Sequence, residues 1–454
     1  MSDTVFIHSQ DQLRQLARDV LRYAQVKGAS NAAVEISEGS GLAVTVRKGS
    51  IETIEQNKDK GMGVTVYLGE EKHIRHGNAS TSDFSQKALE DTVDAAYNIA
   101  RFTAEDDCAG LPEISMLEMA PRDLQLCYPW LISTEEAVAL AKRCEAAAFA
   151  VDKRITNSEG ASVYAQQSHF VSANSHGFIG GYPFSRHSLS VSPIAGKGAH
   201  MQRDDWYSSA RDPNNLAAPE AIGMYAAQRA LARLHARKLD TRKCPVLFEA
   251  PLAIGLLGAF VQAVSGGALY RKSTFLLDSL GTQVFDSSVQ ILEDPHVLGG
   301  VGSAPFDDEG VKTQRREVVR DGVVQGYFLS TYSARKLGMV TTGNAGGSHN
   351  LSLTSTLTAP TDDFVAMLKK LDTGLLVTEL MGQGVNYVTG DYSRGASGYW
   401  VEHGVIQYPV EEITIAGNMK DMLRQIVAIG ADTLIRGTKQ TGSILVENMT
   451  VAGS

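Results

Sequence analysis

The spacing of apolar residues in the first hundred positions changes once, from a helical period to a period of two. Residues 10–27 carry one apolar stripe, with Gly28 as a stop: Leu13, Leu16, Ala17, Val20, Leu21 and Ala24. From Ala32 four short alternating runs, AAVEISE, GLAVTVRKG, SIETIEQ and GMGVTVYLG, are separated by glycine turns and followed by EKHIRHG. A second helix is predicted over Phe84–Phe102. The first domain is therefore predicted to be α+β, with helices on an antiparallel sheet.

The next part of the chain repeats this combination of helices and strands. Residues 105–133 contain several prolines with weak periodicity and indicate a crossover. A helix is predicted from the N-cap Thr134 to about Ala150, then the strands ASVYAQQSHFVSA and SLSVSP, and a helix near 217–237. After the strand VLFEA, glycine turns separate many short strands.

This order predicts an α+β protein in which helix-and-antiparallel-sheet domains at the N-terminal side precede a mainly β C-terminal domain. The predicted domains are 1–120, 121–238 and 239–454.

One segment is long enough on paper to cross a membrane. Ala250 to Tyr270 contains no charged side chain, but it includes Pro251 and Gln262, and its strictly apolar part is only Leu252–Val261. A stretch of this length is typical of a buried core helix, and we expect no membrane span.

Composition narrows the class of partner. The 454 residues carry a net charge of −9, and the basic residues are scattered singly. The sequence therefore shows no cluster of basic residues of the kind that binds nucleic acid or an anionic membrane. Four cysteines without a C-x-x-C pair indicate a reducing compartment. The first residues include Asp3 and lack the basic start and apolar stretch of a secretory signal. We expect a cytoplasmic protein.

No catalytic motif stands out along the chain. A Walker loop, a G-x-S-x-G elbow, a dinucleotide fingerprint and H-E-x-x-H are all missing from the sequence. The acidic run 307–309, next to Gly310, is read as a solvated turn in preference to a cation site. In TTGNAGG (341–347), small residues would let a backbone or ligand approach closely, with a flexible loop as the alternative.

Longer segments carry a resemblance to a known family. They are FDDEGV (306–311), RDGVVQGYFLSTYSARKLG (320–338), TTGNAGG (341–347), GYWVEHGVIQYPVEEITIAGNMKDML (398–423) and ETIEQNKDKGMGVTVYLGEEKHIRHGNAST in the first domain. Together they closely resemble the TldD/PmbA family, and more narrowly its PmbA branch, also called TldE. The likeness extends over nearly the whole chain.

The resemblance implies a cytoplasmic zinc-dependent peptidase in which a TldD subunit pairs with a TldE subunit and the pair cuts flexible peptides. In the TldD branch a helix carries H-E-x-x-x-H, whose histidines hold zinc and whose glutamate is the general base. The equivalent positions here are Gly258, Ala259 and Ala263, which offer neither imidazole nor carboxylate. The family's further cysteine ligand is also missing, since no cysteine follows Cys244.

These implications predict a chain with no catalytic residue and no metal of its own, and zinc in a TldD-like partner. This chain would form one wall of the chamber in which the complex cuts peptides. It would also supply an edge strand to which a flexible peptide binds by main-chain hydrogen bonds. The candidate peptide-facing residues, placed in loops, are Thr342, Gly343 and Asn344, together with Gly395 and Gly398. Without the partner, the chain is expected to form a homodimer.

Two other functions stay open at this point. The chain is alternatively a homodimeric peptide-binding or scaffold protein without peptidase activity. The second alternative is an independent hydrolase that uses residues such as Asp278, Asp307 or His349.

Overall fold

The computed structural model describes residues 6–70 and 73–453. Asp3, and the Glu71 and Lys72 that open the run EKHIRHG, lie outside the described residues. The helices are α1 (Gln10–Val26), α2 (Gln86–Phe102), α3 (Thr134–Val151), α4 (Pro219–Ala232), α5 (Ala250–Ala263), α6 (Gly266–Tyr270), α7 (Thr331–Lys336), α8 (Phe364–Leu371) and α9 (Met419–Arg424). None of the described helices is long and apolar enough to cross a membrane.

Twenty strands accompany these helices in the described residues. They are β1 (Asn31–Arg47), β2 (Ser50–Leu68), β3 (Arg75–Thr81), β4 (Ile155–Asn174), β5 (Ile179–Gly180), β6 (Pro183–Ala195), β7 (Gln202–Arg203), β8 (Trp206–Ala210), β9 (Arg242–Phe248), β10 (Val289–Asp294), β11 (Arg316–Arg320), β12 (Val323–Val324), β13 (Asn350–Ser355), β14 (Gly374–Met381), β15 (Asp391–Glu402), β16 (Val405–Asn418), β17 (Ile426–Ile429), β18 (Leu434–Arg436), β19 (Lys439–Thr441) and β20 (Ile444–Ala452). Helices with antiparallel and mixed sheets confirm the predicted α+β class.

The chain forms two compact units. The first contains Met1–Leu231, Leu298–Thr313 and Ser330–Gly346, and the second contains Ala232–Val297, Gln314–Leu329 and Gly347–Ser454. The predicted division at 1–120, 121–238 and 239–454 stays a prediction.

An eight-stranded antiparallel sheet is the frame of the first unit. Its order is β3-β2-β1-β4-β6-β7, with β5 beside β4 and β8 beside β6. Helices α1 and α2 cover Val34 and Ile36 of β1, whereas α3 and α4 cover Val44 and Val46 further along the same strand. These four residues of β1 all have even numbers, and side chains two apart in a strand lie on the same face of the sheet. The four helices therefore cover one face of the sheet.

Of the glycine turns predicted within the first sheet, the one at Gly49 is confirmed, and those at Gly39, Gly41 and Gly61 are wrong. Gly39 and Gly41 lie inside β1, and Gly61 lies inside β2, so the four predicted runs are two long strands of 17 and 19 residues. The only sharp reversal between them is at Lys48 and Gly49, which both have positive φ. Glycine in a strand interior costs stability but does not force a turn when both neighbouring strands supply ladder hydrogen bonds.

Helix α3 begins one residue earlier than predicted. Its N-cap is Ser133, whose hydroxyl accepts the N–H of Glu136, while the Glu136 carboxylate accepts the N–H of Ser133. This reciprocal capping box leaves Thr134 as the first helical residue.

The second unit holds two six-stranded sheets. One has the order β12-β11-β10-β13-β19-β18, and the other β16-β15-β14-β9-β20-β17. In the latter, β16 also pairs with β20 through Thr414 and Ala452, so that β16, β15, β14, β9 and β20 close into a ring. The closing contact is short, since it joins only residues 414–416 of β16 to residues 450–452 of β20.

Candidate functional site

Helix α5 carries the three positions at which the resemblance places zinc ligands in the TldD branch. It follows β9 directly, and Pro251 occupies its first turn, where the missing N–H costs no hydrogen bond. The backbone is α-helical from Ala250 to Ala263, with most of its apolar side chains buried. The predicted buried helix is confirmed.

The three positions on α5 have different surroundings. Gly258 is half-buried, and apart from its own helix backbone no atom lies within 4 Å of the point where a Cβ would be. Ala259 is 5% exposed and Ala263 is fully buried, at 0%. On a regular α-helix, residues five apart differ in direction by about 140°. Neither the residue types nor the directions of these positions fit a zinc ion.

In the first unit, the two loops 306–311 and 341–347 are joined through one buried carboxylate. Asp307 Oδ1 accepts the backbone N–H groups of Glu309 and Val311, both at 2.9 Å, and its Oδ2 accepts that of Ala345 at 3.0 Å. Asp308 donates its N–H to the Ala345 carbonyl at 3.3 Å. The Glu309 and Val311 donors fix the turn within the first loop, and the two contacts with Ala345 join it to the second loop.

The prediction of a solvated turn at 307–309 is wrong for Asp307, which is 3% exposed. Burial and the nearby Glu309 charge raise the pKa of Asp307 to about 7, against the opposing effect of its backbone donors. Glu309 in turn accepts the backbone N–H of Thr331 at 2.8 Å. Of the three acids only Asp308 is exposed. The sequence could not show this, because Ala345 and Thr331 are distant along the chain.

The predicted peptide-facing residues of the loop 341–347 are packed inside the first unit. Gly343 and Asn344 are buried, and Thr342 is half-buried and donates its hydroxyl to Asn344 Oδ1 at 2.8 Å. Gly343 has φ +70°, and a Cβ there would overlap the carbonyl oxygen of Lys312. Only glycine combines this φ with so close an approach.

The placement of Gly395 and Gly398 in a loop is wrong, because both lie within β15. Gly395 is opposite Met381 of β14 and Gly398 is opposite Val377. Gly398 is buried, and a Cβ there would overlap the carbonyl oxygen of Leu376, so the glycine permits close packing of the ring of strands. Gly395 is half-buried.

The residues proposed for an independent hydrolase have separate environments. Asp278 lies in an exposed turn with φ +56°, and Asp307 binds the loops of the first unit. His349 belongs to the second unit, where Glu293 Oε1 accepts its backbone N–H at 2.8 Å and lies 3.0 Å from its Nδ1. The structure brings His349 to Glu293, and not to a nucleophile predicted from the sequence.

Glu293 and Arg316 complete a buried ionic cluster that the sequence did not reveal. Arg316 Nε donates to Glu293 Oε2 at 2.7 Å, and Arg316 Nη1 donates to the Tyr327 carbonyl at 2.8 Å. The guanidinium also lies over the Phe328 ring, 5.0 Å from the centroid. Burial alone would raise the pKa of Glu293, but the His349 hydrogen bonds and the Arg316 charge lower it to about 2.

Among the described residues, one group places three possible metal donors within 4.8 Å of one another: Asp106, Asp107 and Cys108. The Asp106 carboxylate is already engaged, because it accepts Lys336 Nζ at 2.9 Å, the Tyr332 hydroxyl at 2.7 Å and the Cys108 N–H at 3.0 Å. Burial raises the pKa of Asp106, and these donors outweigh it and lower the pKa to about 2. The group forms an ion-pair cluster that ties α7 to the crossover 105–133.

We expect Lys336→Met to lower the free energy of unfolding by about 1–2 kcal/mol, because it leaves a half-buried Asp106 carboxylate without its cation. The loss should be largest near neutral pH and should shrink as the pH falls toward 2, where Asp106 becomes protonated. Urea denaturation at pH 7 and pH 3 measures both. Lys87→Met, which removes an exposed pair with Asp91, serves as the control and should cost clearly less than Lys336→Met. Equal losses for the two variants would contradict the assignment.

Comparison with known proteins gives matches along most of the chain. Three family models match: "PmbA/TldA metallopeptidase domain 1" at residues 32–100, the "central domain" at 127–234 and the "C-terminal domain" at 241–453. The metalloprotease PmbA of Escherichia coli O157:H7 is 48% identical over 425 residues, which cover 94% of this chain and 93% of that protein. A metalloprotease PmbA homolog of Haemophilus influenzae is 45% identical over 100% of this chain and 99% of its own length.

Solved structures show the same fold. A Bacteroides thetaiotaomicron protein, named as a proposed modulator of DNA gyrase, has a TM-score of 0.91 at 26% identity and covers 98% of this chain and 100% of its own. TldE of Thermococcus kodakarensis has a TM-score of 0.81 at 20% identity, over 96% of this chain and 100% of its own, and shows the fold alone.

Proposed function

Since this chain belongs to the PmbA/TldE branch of the PmbA/TldD metallopeptidase family, we propose that it is the non-catalytic subunit of a zinc-dependent peptidase. In this proposal a TldD-like subunit supplies the zinc site, and the pair cleaves flexible peptides in the cytoplasm. Without that subunit the chain forms a homodimer.

The observation that carries the proposal is the donor set of α5. Zinc needs imidazole, thiolate or carboxylate ligands, and peptide hydrolysis at zinc needs a carboxylate to accept a proton from the bound water. Gly258, Ala259 and Ala263 supply none of these atoms, and the full burial of Ala263 leaves that position no room to contribute. We therefore derive no catalytic step in this chain.

What the chain offers a peptide complex is a rigid framework. The ring of strands in the second unit is closed by the pairing of β16 with β20, and Asp307 fixes the loop that carries Thr342, Gly343 and Asn344. Of the candidate peptide-facing residues, Gly343, Asn344 and Gly398 are buried, so the proposal keeps Thr342 of the first unit and Gly395 of the second, each half-buried. An ordered wall lowers the entropy cost of binding an extended peptide.

The test is zinc content together with peptidase activity on a casein-type peptide. We expect well under one zinc per purified chain and no cleavage by the chain alone. Adding a TldD-like relative that retains H-E-x-x-x-H should give cleavage at least 100-fold above that of this chain alone, and a chelator should abolish it.

Two results would overturn the proposal. One is stoichiometric zinc in the isolated chain that a chelator removes, and the other is chelator-sensitive cleavage without the relative. Chelator-resistant cleavage by the isolated chain would favour the independent hydrolase. A dimer that binds peptides but never activates the relative would favour the scaffold protein.

A further inference from the structure

Strand β2 has a long unpaired edge. It pairs with β1 along its whole length, from Tyr67 opposite Asn31 to Ser50 opposite Arg47, but β3 pairs only with its last part, Met62–Leu68. Within residues 6–70 and 73–453, no strand pairs with the other side of Ser50–Lys60, which we call the β2 edge. All eleven residues of the β2 edge are exposed. An exposed edge presents backbone N–H and C=O groups that are ready to pair with another strand.

The apolar face of the first sheet continues onto the β2 edge without a cover. Val44 and Val46 of β1 are buried beneath α3, and their cross-strand neighbours are Ile54 and Ile51. Opposite residues share a face of the sheet, yet Ile51 is 51% exposed and Ile54 is 45% exposed. A strand added to this edge would lie beside both isoleucines and shield part of each side chain from water.

Charge indicates which strand fits. The acids Glu52 and Glu55 lie in the first half of the β2 edge, and Lys58 and Lys60 lie on either side of Asp59 in the second half. A second copy in antiparallel orientation, centred on Gln56, would place Glu52 opposite Lys60 of the other copy and Glu52 diagonally from its Lys58. A parallel copy in register would place like charges together. Lysines on an edge usually deter pairing, but here Lys60 would face Glu52 directly, and Lys58, which would face Ile54, would lie diagonally from the same Glu52.

We propose that two copies of this chain associate by antiparallel pairing of their β2 edges, which joins the two eight-stranded sheets into one. The arrangement is self-complementary about a two-fold axis, as homodimer interfaces usually are. It rests on the self-association given under the proposed function, and it assigns the surface.

The test uses charge reversal and restoration in the full-length chain. We expect K58E/K60E to raise the dimer dissociation constant at least tenfold, because both halves of the edge become acidic. The further changes E52K/E55K, added to that variant, exchange the two halves and should return the constant to within about threefold of wild type. Analytical ultracentrifugation measures all three proteins. K369E/K420E, which reverses two exposed lysines in the second unit, is the matched control and should leave the constant unchanged.

Amide hydrogen exchange locates the interface independently of mutation. The amides in 50–60 that point away from β1, about every second one, should exchange at least tenfold more slowly in the dimer than in the diluted monomer, while the amides of 62–68, which lie between β1 and β3, should not change.

The outcomes separate this inference from the proposed function. A chain that stays monomeric at micromolar concentration overturns both the self-association and the edge assignment. A dimer that withstands K58E/K60E, or shows no slowing at 50–60, overturns the edge assignment alone. If K58E/K60E weakens binding only to a TldD-like relative, the edge belongs to that partner and the second copy is excluded.

Discussion

Ala263→His should lower the free energy of unfolding by at least about 3 kcal/mol, whereas Gly258→His on the same helix should change it by less than about 1 kcal/mol. Ala263 is fully buried, and its carbonyl already accepts the Thr274 hydroxyl at 2.6 Å. An imidazole there must displace packed neighbours and be buried without a prepared partner. At Gly258 the side chain enters open space, and replacing glycine in a helix offsets part of the cost.

Urea denaturation followed by far-UV circular dichroism compares the two variants directly. Because the same residue type is introduced five positions apart on one helix, the difference reports burial and not the chemistry of histidine. Equal stability of the two variants would contradict this prediction, because it would show that the neighbours of Ala263 rearrange around an imidazole at little cost.

The burial of Ala263 also works against building a zinc site with the triple change Gly258→His, Ala259→Glu and Ala263→His. On a regular helix the two imidazoles point about 140° apart, so a shared metal requires a local π-bulge. Helix α5 is α-helical throughout, with no such bulge. We expect a destabilised triple variant that binds zinc weakly and cleaves no peptide alone. Calorimetric zinc titration and the casein-type assay measure this, and robust chelator-sensitive cleavage by the variant would contradict it.

The second large effect concerns the buried ionic cluster of the second unit. Arg316→Met should lower the free energy of unfolding by about 3–5 kcal/mol, because Glu293 is 1% exposed and would keep a buried charge without its cation. Arg154→Met is the control, since Arg154 also binds a carboxylate, that of Asp152, but more than half of its side chain is exposed. The control should cost much less than Arg316→Met, because water screens an exposed ion pair.

A second variant separates the charge from the packing. Arg316→Met combined with Glu293→Leu removes both charges, so the pair should be more stable than Arg316→Met alone. If the double variant is no better, the loss comes from the contact of Arg316 with Phe328 and Tyr327 rather than from the unpaired carboxylate.

The pH dependence follows from the lowered pKa of Glu293. A carboxyl whose pKa is lower in the folded chain than in the unfolded chain stabilises the fold above its unfolded value. This contribution should be complete above about pH 5 and lost as the pH falls toward 2. Arg316→Met should therefore flatten the acid limb of the stability profile, as measured by urea denaturation between pH 2 and pH 7.

The sequence alone was sufficient for features that depend on neighbours a few residues apart. The buried stripe of α1, made of Leu13, Ala17, Val20 and Ala24, follows from helical spacing. The apolar composition of α5 predicted a buried helix, and the motifs identified the family. Even the cap of α3 had a local signal, because Ser133 and Glu136 have capping-box spacing, although Thr134 next to Ser133 made the first residue ambiguous.

The tertiary structure decided everything that depends on residues far apart in the chain. Gly39 and Gly41 look like turn residues until two flanking strands pair with them, and Asp307 looks solvated until the Ala345 N–H reaches it. Glu293 acquires its partners 23 and 56 residues later. Desolvation and hydrogen bonding depend on distance in space, whereas spacing along a sequence reports only the local period, so the sequence could supply the elements but not these contacts.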